Sequence, residues 1–293
     1  MVNKSRRGLF VAAIAAALAL SVSLGAIGAE KEKTAKEKVT KEKAAPDKAA
    51  KDKQAAEPKR VVVVWSEGTA PKNVYPNDIN GAIADGLTKS LKNWEVVKAN
   101  LSDPDQGISD ALLKRTDVLI WWGHQKHDQV KDELVDKIVK RVKEDGMGFI
   151  SLHSSHFAKV NKKLMGTACS WGAYVGDSTT LKINVKDSKH PIAQGIKDFT
   201  IVHNERYSDP YAVPKPQSVV FEGVATLKDG KTDPSQIGLT WEVGKGKMFY
   251  FQAGHETNPV FMDENVKKIM ANAVKWAAPK KAEAPAKKET PAK

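Results

Sequence analysis

The stretch Asp117 to His156, DVLIWWGHQKHDQVKDELVDKIVKRVKEDGMGFISLHSSH, decides the fold. Asp117–Trp122 is a short apolar run of the length and composition of a strand covered on both faces. From Asp128 to Glu144 the apolar residues Val130, Leu134, Val135, Ile138, Val139 and Val142 fall on one helical face. Gly146 supplies the stop, and Met147–Leu152 returns as a strand. Strand, helix and strand in this order form a crossover unit, the connection that parallel strands require.

The same alternation extends towards the N-terminus. Val61–Ser66, four valines and a tryptophan followed by serine, reads as a first central strand. Asp78 is placed to cap a helix whose apolar stripe is Ile79, Ile83, Leu87 and Leu91, and Trp94–Ala99 gives the next strand. A short helix around Leu112 and Leu113 leads back to Asp117. Beyond residue 156 the character changes. Leu181, Ile183 and Val185 alternate, as do parts of Ser218–Phe221 and Gln236–Trp241, and Gly244-Lys245-Gly246 turns the chain into Lys247–Gln252. Pro259 precedes a closing amphipathic helix through Val266, Ile269, Met270, Ala273 and Trp276. The expectation is an α/β domain with a central, mostly parallel sheet, helices on both faces, and antiparallel additions in the C-terminal half.

Composition divides the chain around that domain. Residues 1–29 carry Lys4, Arg6 and Arg7, then an uncharged, largely apolar stretch with small residues at Ala26, Gly28 and Ala29, the pattern of a cleavable export signal. The Ser5–Phe10 segment also resembles a twin-arginine signal. Export to the periplasm or cell envelope is therefore expected, and membrane attachment only if the signal stays uncleaved. Residues 30–60 are rich in Lys, Glu and Ala with Val39 as the sole large apolar residue, so they cannot bury enough surface to fold, and 279–293 are alike. The folded part, 61–278, is about the size of one substantial domain. Of the formal charge of +12, residues 1–29 carry +3, 30–60 carry +4 and 279–293 carry +3, leaving +2 for the domain. That small excess argues against nucleic acid as a partner. With Cys169 the only cysteine, no intrachain disulfide can form.

Six of the seven histidines follow segments read as strands: His124 and His127 in WWGHQKH, His153 and His156 in LHSSH, His203 in HNERY and His255 in QAGHE. In an open α/β sheet ligands bind beyond the carboxyl ends of the strands, so these imidazoles are expected to converge. Each alone is equally a loop or cap residue. As a group they suit metal binding or proton transfer. LHSSH falls where doubly wound hydrolases carry a strained nucleophile turn, which places His153 at an exposed elbow and Ser154 and Ser155 at the start of the next helix. Glu205 and Tyr207 accompany His203, and His255-Glu256 could form an oriented base.

DVLIWWGHQKHDQV, GMGFISLHSSHFAKVNKKLMGTACSW, HPIAQGI, HNERY with its following PY, and GKGKMFYFQAGHETNP together resemble the trehalose-utilisation (ThuA-like) family over essentially all of Val61–Ala278. The resemblance implies a flavodoxin-like fold similar to class I glutamine amidotransferases, whose site uses a cysteine at the elbow and a later histidine and glutamate. YFQAGHE looks like the strand bearing that histidine, which gives His255 its position. The elbow reads His153-Ser154, and Cys169 lies 16 residues beyond His153, so this chain is not expected to be a glutaminase.

The resemblance also implies disaccharide catabolism and a functional link to sugar oxidoreductases that make 3-keto sugars. The expected activity is proton abstraction beside the ketone of a small-molecule keto-sugar, leading to elimination, hydration or isomerisation. The expected cofactor is a divalent metal ion, zinc, manganese, iron or nickel, drawn from His124, His153, His156, His203 and His255 with Glu205 as an additional donor. His153, Glu205 and His255 are the expected catalytic residues. Trp122, Ser154 and Tyr207 are expected to bind substrate, with Trp121 and Trp171 as further aromatic walls. Two other classes stay open: a noncatalytic envelope protein that binds carbohydrate, and a serine hydrolase using Ser154 or Ser151 with His255 and Glu256. A homo-oligomer is likewise open.

Overall fold

The structure is a computed structural model that describes residues 59–280. The expected signal, nearly all of the spacer and residues 281–293 lie outside the described residues. Among the described residues no helix is long and apolar enough to cross a membrane.

The first half builds a parallel sheet. Its strands are β1 (Arg60–Ser66), β2 (Trp94–Asn100), β3 (Val118–Trp122) and β4 (Gly148–Leu152), with α1 (Asp78–Ser90), α2 (Asp110–Arg115) and α3 (Asp132–Asp145) between them. α4 (Lys159–Met165) follows β4. The second half supplies β5 (Trp171–Val185), β6 (Phe199–Tyr211), β7 (Ser218–Thr226), β8 (Thr232–Val243), β9 (Gly246–Phe251) and α5 (Glu264–Ala277). All nine strands form one sheet in the order β2-β1-β3-β4-β9-β8-β7-β5-β6. Its first five members are parallel, and their order has the flavodoxin-like pattern, with the switch point between β1 and β3.

Helices cover both faces, for the reason the sequence suggests. On β1, Val62 and Val64 point into a core made with α1 and α5, whereas Val61, Val63 and Trp65 point into one made with α2, α3 and α4. On α3, Val135, Ile138 and Val142 are fully buried, each contributing on the order of 2 kcal/mol from apolar area removed from water. Gly146 ends α3 at φ 81°, in the left-handed region where a side chain is strained.

Three expectations need correction. The sheet is half rather than mostly parallel, because the expected antiparallel additions in the C-terminal half, β8, β7, β5 and β6, contribute four pairings beside the four parallel ones. Asp78 does not cap α1; its carboxylate accepts from the Ser66 hydroxyl at 2.5 Å and the Ala70 amide at 3.3 Å, tying down the loop after β1. LHSSH does not open an α-helix, because His153–Phe157 is a 3₁₀ turn and α4 begins at Lys159. A helix N-terminus is therefore not available at Ser154 and Ser155 to hold an anion.

β5 and β6 shape the site. β6 pairs with β5 over Trp171–Ile183, but β5 pairs with β7 only through Thr180–Val185. The remaining part of the ribbon carries bulges near Trp171 and Tyr174, which increase local twist and re-aim side chains. Gln252 Nε2 donates to the Tyr207 carbonyl at 2.9 Å, Gly254 N to Asn204 Oδ1 at 3.0 Å and Arg206 Nε to Asp233 Oδ2 at 2.8 Å. These bonds hold this arm against β8, β9 and the loop that follows β9.

Candidate active site

Four chain segments meet beyond the carboxyl ends of β1, β3, β4 and β9, and the arm of β5 and β6 supplies a fifth. His153 follows the last residue of β4 at φ 50°, a left-handed conformation that a β-carbon makes costly. The elbow is thus real, but it is not exposed: His153 is fully buried. Gly254 makes room for it, since a β-carbon there would lie 2.6 Å from the His153 β-carbon. The ring is held from both sides, with Nδ1 2.9 Å from the Gln252 carbonyl and Nε2 2.8 Å from Glu205 Oε2. The carbonyl can only accept, so Nδ1 carries a proton. Nε2 faces the Glu205 carboxylate.

Glu205 projects from β6 and is the hub of the site. Its Oε1 accepts from the Tyr174 hydroxyl at 2.7 Å and lies 3.4 Å from His255 Nε2, while the Tyr207 hydroxyl is 3.3 Å from Oε2. Burial pushes its carboxyl up, but the hydrogen bonds and charges of His153, Tyr174 and His255 outweigh burial and hold it at about 2. Bonding to that carboxylate, with burial second, pushes the Tyr174 phenol up to about 12. For Tyr207 burial is the main cause of an upward shift.

His124 and His255 form the other half. Their ring centroids lie 4.9 Å apart, and those of His153 lie 5.9 and 5.7 Å from them respectively. His124 Nδ1 contacts Glu256 Oε2 at 2.6 Å, and Gln125 Nε2 donates to the other oxygen of Glu256. Burial lowers the affinity of His124 for a proton, but Glu256, Glu205 and Glu67 together raise it. In His255 burial prevails and the shift is downward. Its Nδ1 accepts from the Thr257 amide at 3.2 Å, leaving Nε2 directed at Glu205 and, at 3.8 Å, at Glu256. Glu256 is held low, because its bonds to His124 outweigh its burial. One ligand atom each from His124, His255 and Glu256 fit within 4.8 Å of one another, a separation a single cation can span with imidazole and carboxylate donors.

Sequence reasoning missed Glu67. It follows β1, is buried, and its Oε2 accepts from the amides of His124 and Gln125 at 2.9 and 2.7 Å, fixing the loop that presents both side chains. The signal was there in Trp65-Ser66-Glu67-Gly68, a charged residue immediately past a buried strand, the criterion that singled out the histidines.

Other expected residues lie elsewhere. His156 is fully buried among Phe157, Trp171, Tyr207, Tyr211 and Tyr250, with Nδ1 on the His153 carbonyl at 2.9 Å, and burial lowers its pKa to about 3. It packs against the aromatic rings behind the elbow and does not join the other three imidazoles. His203 is exposed, whereas Asn204 to Tyr207 are buried. His127 is half-buried and faces Glu67 at 3.6 Å. Trp122 is fully buried in the core shared with α1 and α5, and Trp121 stacks on Trp65 at 3.7 Å, so neither lines a sugar pocket. Trp171 stacks on Tyr211 at 4.2 Å. Ser154 Oγ pairs with the Tyr207 hydroxyl at 2.8 Å rather than with an imidazole. Ser151 Oγ is buried and has no partner among the described residues. The serine hydrolase arrangement is therefore not formed.

Solved structures share this architecture. A ThuA-like protein from Parabacteroides merdae has a TM-score of 0.54 at 12% identity, covering 75% of this chain and 90% of that one. A second, from Bacteroides uniformis, has 0.52 at 17%, covering 80% and 95%. A cytoplasmic protein of Salmonella typhimurium has 0.51 at 10%, covering 75% and 99%. At these identities the likeness concerns the fold. None of the curated proteins matches the chain. The family model described as trehalose utilisation matches residues 60–277, nearly the whole of the described domain, and the chain belongs to this ThuA family.

Proposed function

We propose that the protein abstracts a proton beside the ketone of a keto-sugar derived from a disaccharide, leading to elimination, hydration or isomerisation. The observation that carries this reading is the convergence of His124, His153 and His255 with Glu205 and Glu256 at the carboxyl ends of the parallel strands. His124, His255 and Glu256 would hold a divalent cation, with Glu205 adjoining. Zinc, manganese, iron and nickel all suit imidazole with carboxylate. A cation bound there supplies Lewis-acid stabilisation of negative charge developing on a carbonyl oxygen.

The chain's own groups divide the proton work. Glu205, held ionised, accepts the proton from the carbon next to the ketone at Oε1. Its other oxygen is fixed by His153, and Tyr174 and His255 flank Oε1, so the carboxylate is aimed rather than rotating. The proton taken up at Oε1 is then returned to the leaving hydroxyl, which restores the carboxylate. Tyr174 keeps its phenolic proton and orients Oε1. The keto group itself would come from a preceding oxidation, consistent with a sugar oxidoreductase as functional partner.

The test is solvent exchange. The purified protein is incubated with a 3-keto-disaccharide in deuterated water, and deuterium at the carbon next to the ketone is followed by mass spectrometry. Exchange well above background, lost in Glu205→Gln, supports the proposal. Saturable sugar binding with neither exchange nor turnover would make the protein a carbohydrate-binding module instead.

A further inference from the structure

A cavity of about 610 Å³ opens at the other end of the sheet, lined by Arg60, Lys189, Lys247, Lys275, Lys280 and Trp276, and none of its lining residues is acidic. Arg60 is the first residue of β1 and Lys247 the second of β9, whereas the candidate active site lies past the last residues of the same strands. Strands of this length put roughly 20 Å between the two. Residues 60–280 carry a net charge of only +4, so five cations around one hollow reflect segregation of charge rather than a general excess.

Two of the five are fixed by hydrogen bonds, and the side chains of the other three make none among the described residues. Arg60 donates to the Pro279 carbonyl at 2.9 Å, and Lys247 to the Trp276 carbonyl at 3.3 Å, so both also serve the C-terminal end of α5. Lys189, Lys275 and Lys280 are exposed, and none of the five forms an ion pair among the described residues. A second cavity, of about 490 Å³, shares Lys275 and Asn272 and adds Lys89, Lys267 and Lys268 against one carboxylate, Glu264. The basic surface therefore runs on along α5.

We propose that this basic pole docks on an anionic phospholipid surface, with the cavity receiving phosphate headgroups and the active site facing away. A surface fits better than one small anion, because the two cavities are contiguous and open. The adjoining sequence is basic as well: beyond the lining residues themselves, 30–59 hold 10 basic against 7 acidic residues and 281–293 hold 4 against 2, and both join the domain at this pole. Each lysine or arginine near such a surface adds to the attraction, which salt screens.

The full protein is sedimented with phosphatidylglycerol-containing vesicles and with neutral phosphatidylcholine vesicles, at low and at physiological ionic strength. Lys189→Glu/Lys275→Glu/Lys280→Glu is the variant; its thermal midpoint and its deuterium exchange on keto-sugar should equal those of the unmodified protein, because all three side chains are exposed and remote from the site. The expected result is selective, salt-sensitive binding to anionic vesicles that falls on the order of a hundredfold in the variant. Equal binding by variant and unmodified protein would overturn the proposal by assigning attraction to the basic termini alone. Binding to neutral vesicles as well, to inorganic phosphate without vesicles, or to a DNA duplex in preference to vesicles would also overturn it.

Discussion

His153 Nε2 lies 2.8 Å from Glu205 Oε2, joining the elbow after β4 to an arm that enters from the far edge of the sheet. His153 is fully buried and Glu205 is 5% exposed, so the pair is shielded from water and its members are tightly interdependent. The contact positions the carboxylate for chemistry and also links folding to pH.

Glu205 is held at about 2 against an ordinary 4.5. A carboxyl depressed in the folded state stabilises the protein above its unfolded pKa, and that contribution disappears as pH falls through the folded value. Stability should therefore decline between about pH 4.5 and 2. Glu205→Gln should flatten this decline by on the order of 2–3 kcal/mol, as read from urea midpoints across that range. An unchanged pH slope would show that Glu205 is not the group responsible.

Gly254→Ala places a β-carbon 2.6 Å from the His153 β-carbon. The expected cost is about 1–3 kcal/mol of stability, with keto-sugar exchange reduced even where the protein stays folded at the assay temperature. Thermal melts and single-turnover exchange measure the two effects separately. A variant with full stability and activity would refute the close approach.

Asp233→Ala removes the carboxylate facing fully buried Arg206 Nε. Leaving that guanidinium unpaired should cost about 3 kcal/mol. Because the same contact anchors the arm beside Glu205, exchange activity should fall together with the urea midpoint. Loss of stability with unaltered activity of the folded fraction would show that the arm holds its place without this anchor.

A fluorophosphonate probe should leave the protein unlabelled, because Ser154 Oγ bonds to Tyr207 and not to an imidazole base. Stoichiometric labelling at Ser154 or Ser151 would restore the hydrolase reading.

The parallel half of the fold was legible because its strands are buried on both faces and its helices carry clear apolar stripes, as Val61–Trp65 and α3 show. The arm was not. Trp171–Thr179 and the middle of β6 carry no simple apolar alternation, since this part of the ribbon leaves β7 and packs on the active site, where Asn204 to Tyr207 are buried in succession. The alternation at Leu181, Ile183 and Val185 marked only the portion within the sheet. In the site, position relative to the strands identified His124, His153 and His255, and it would have identified Glu67 had carboxylates been treated like histidines. His156 shared the elbow turn with His153, yet the turn sends its ring into the aromatic cluster behind the site; local sequence does not encode that direction. Trp122 ended a strand at the right edge but points into the core with α1 and α5.

The most direct test of the convergent site is elemental analysis of the purified, extensively dialysed protein beside a His124→Ala/His255→Ala variant. Near-stoichiometric divalent metal is expected in the unmodified protein, lost in the variant while far-ultraviolet circular dichroism stays the same. No metal in the unmodified protein, even after reconstitution with zinc, manganese, iron or nickel, or equal metal in both proteins, would contradict it.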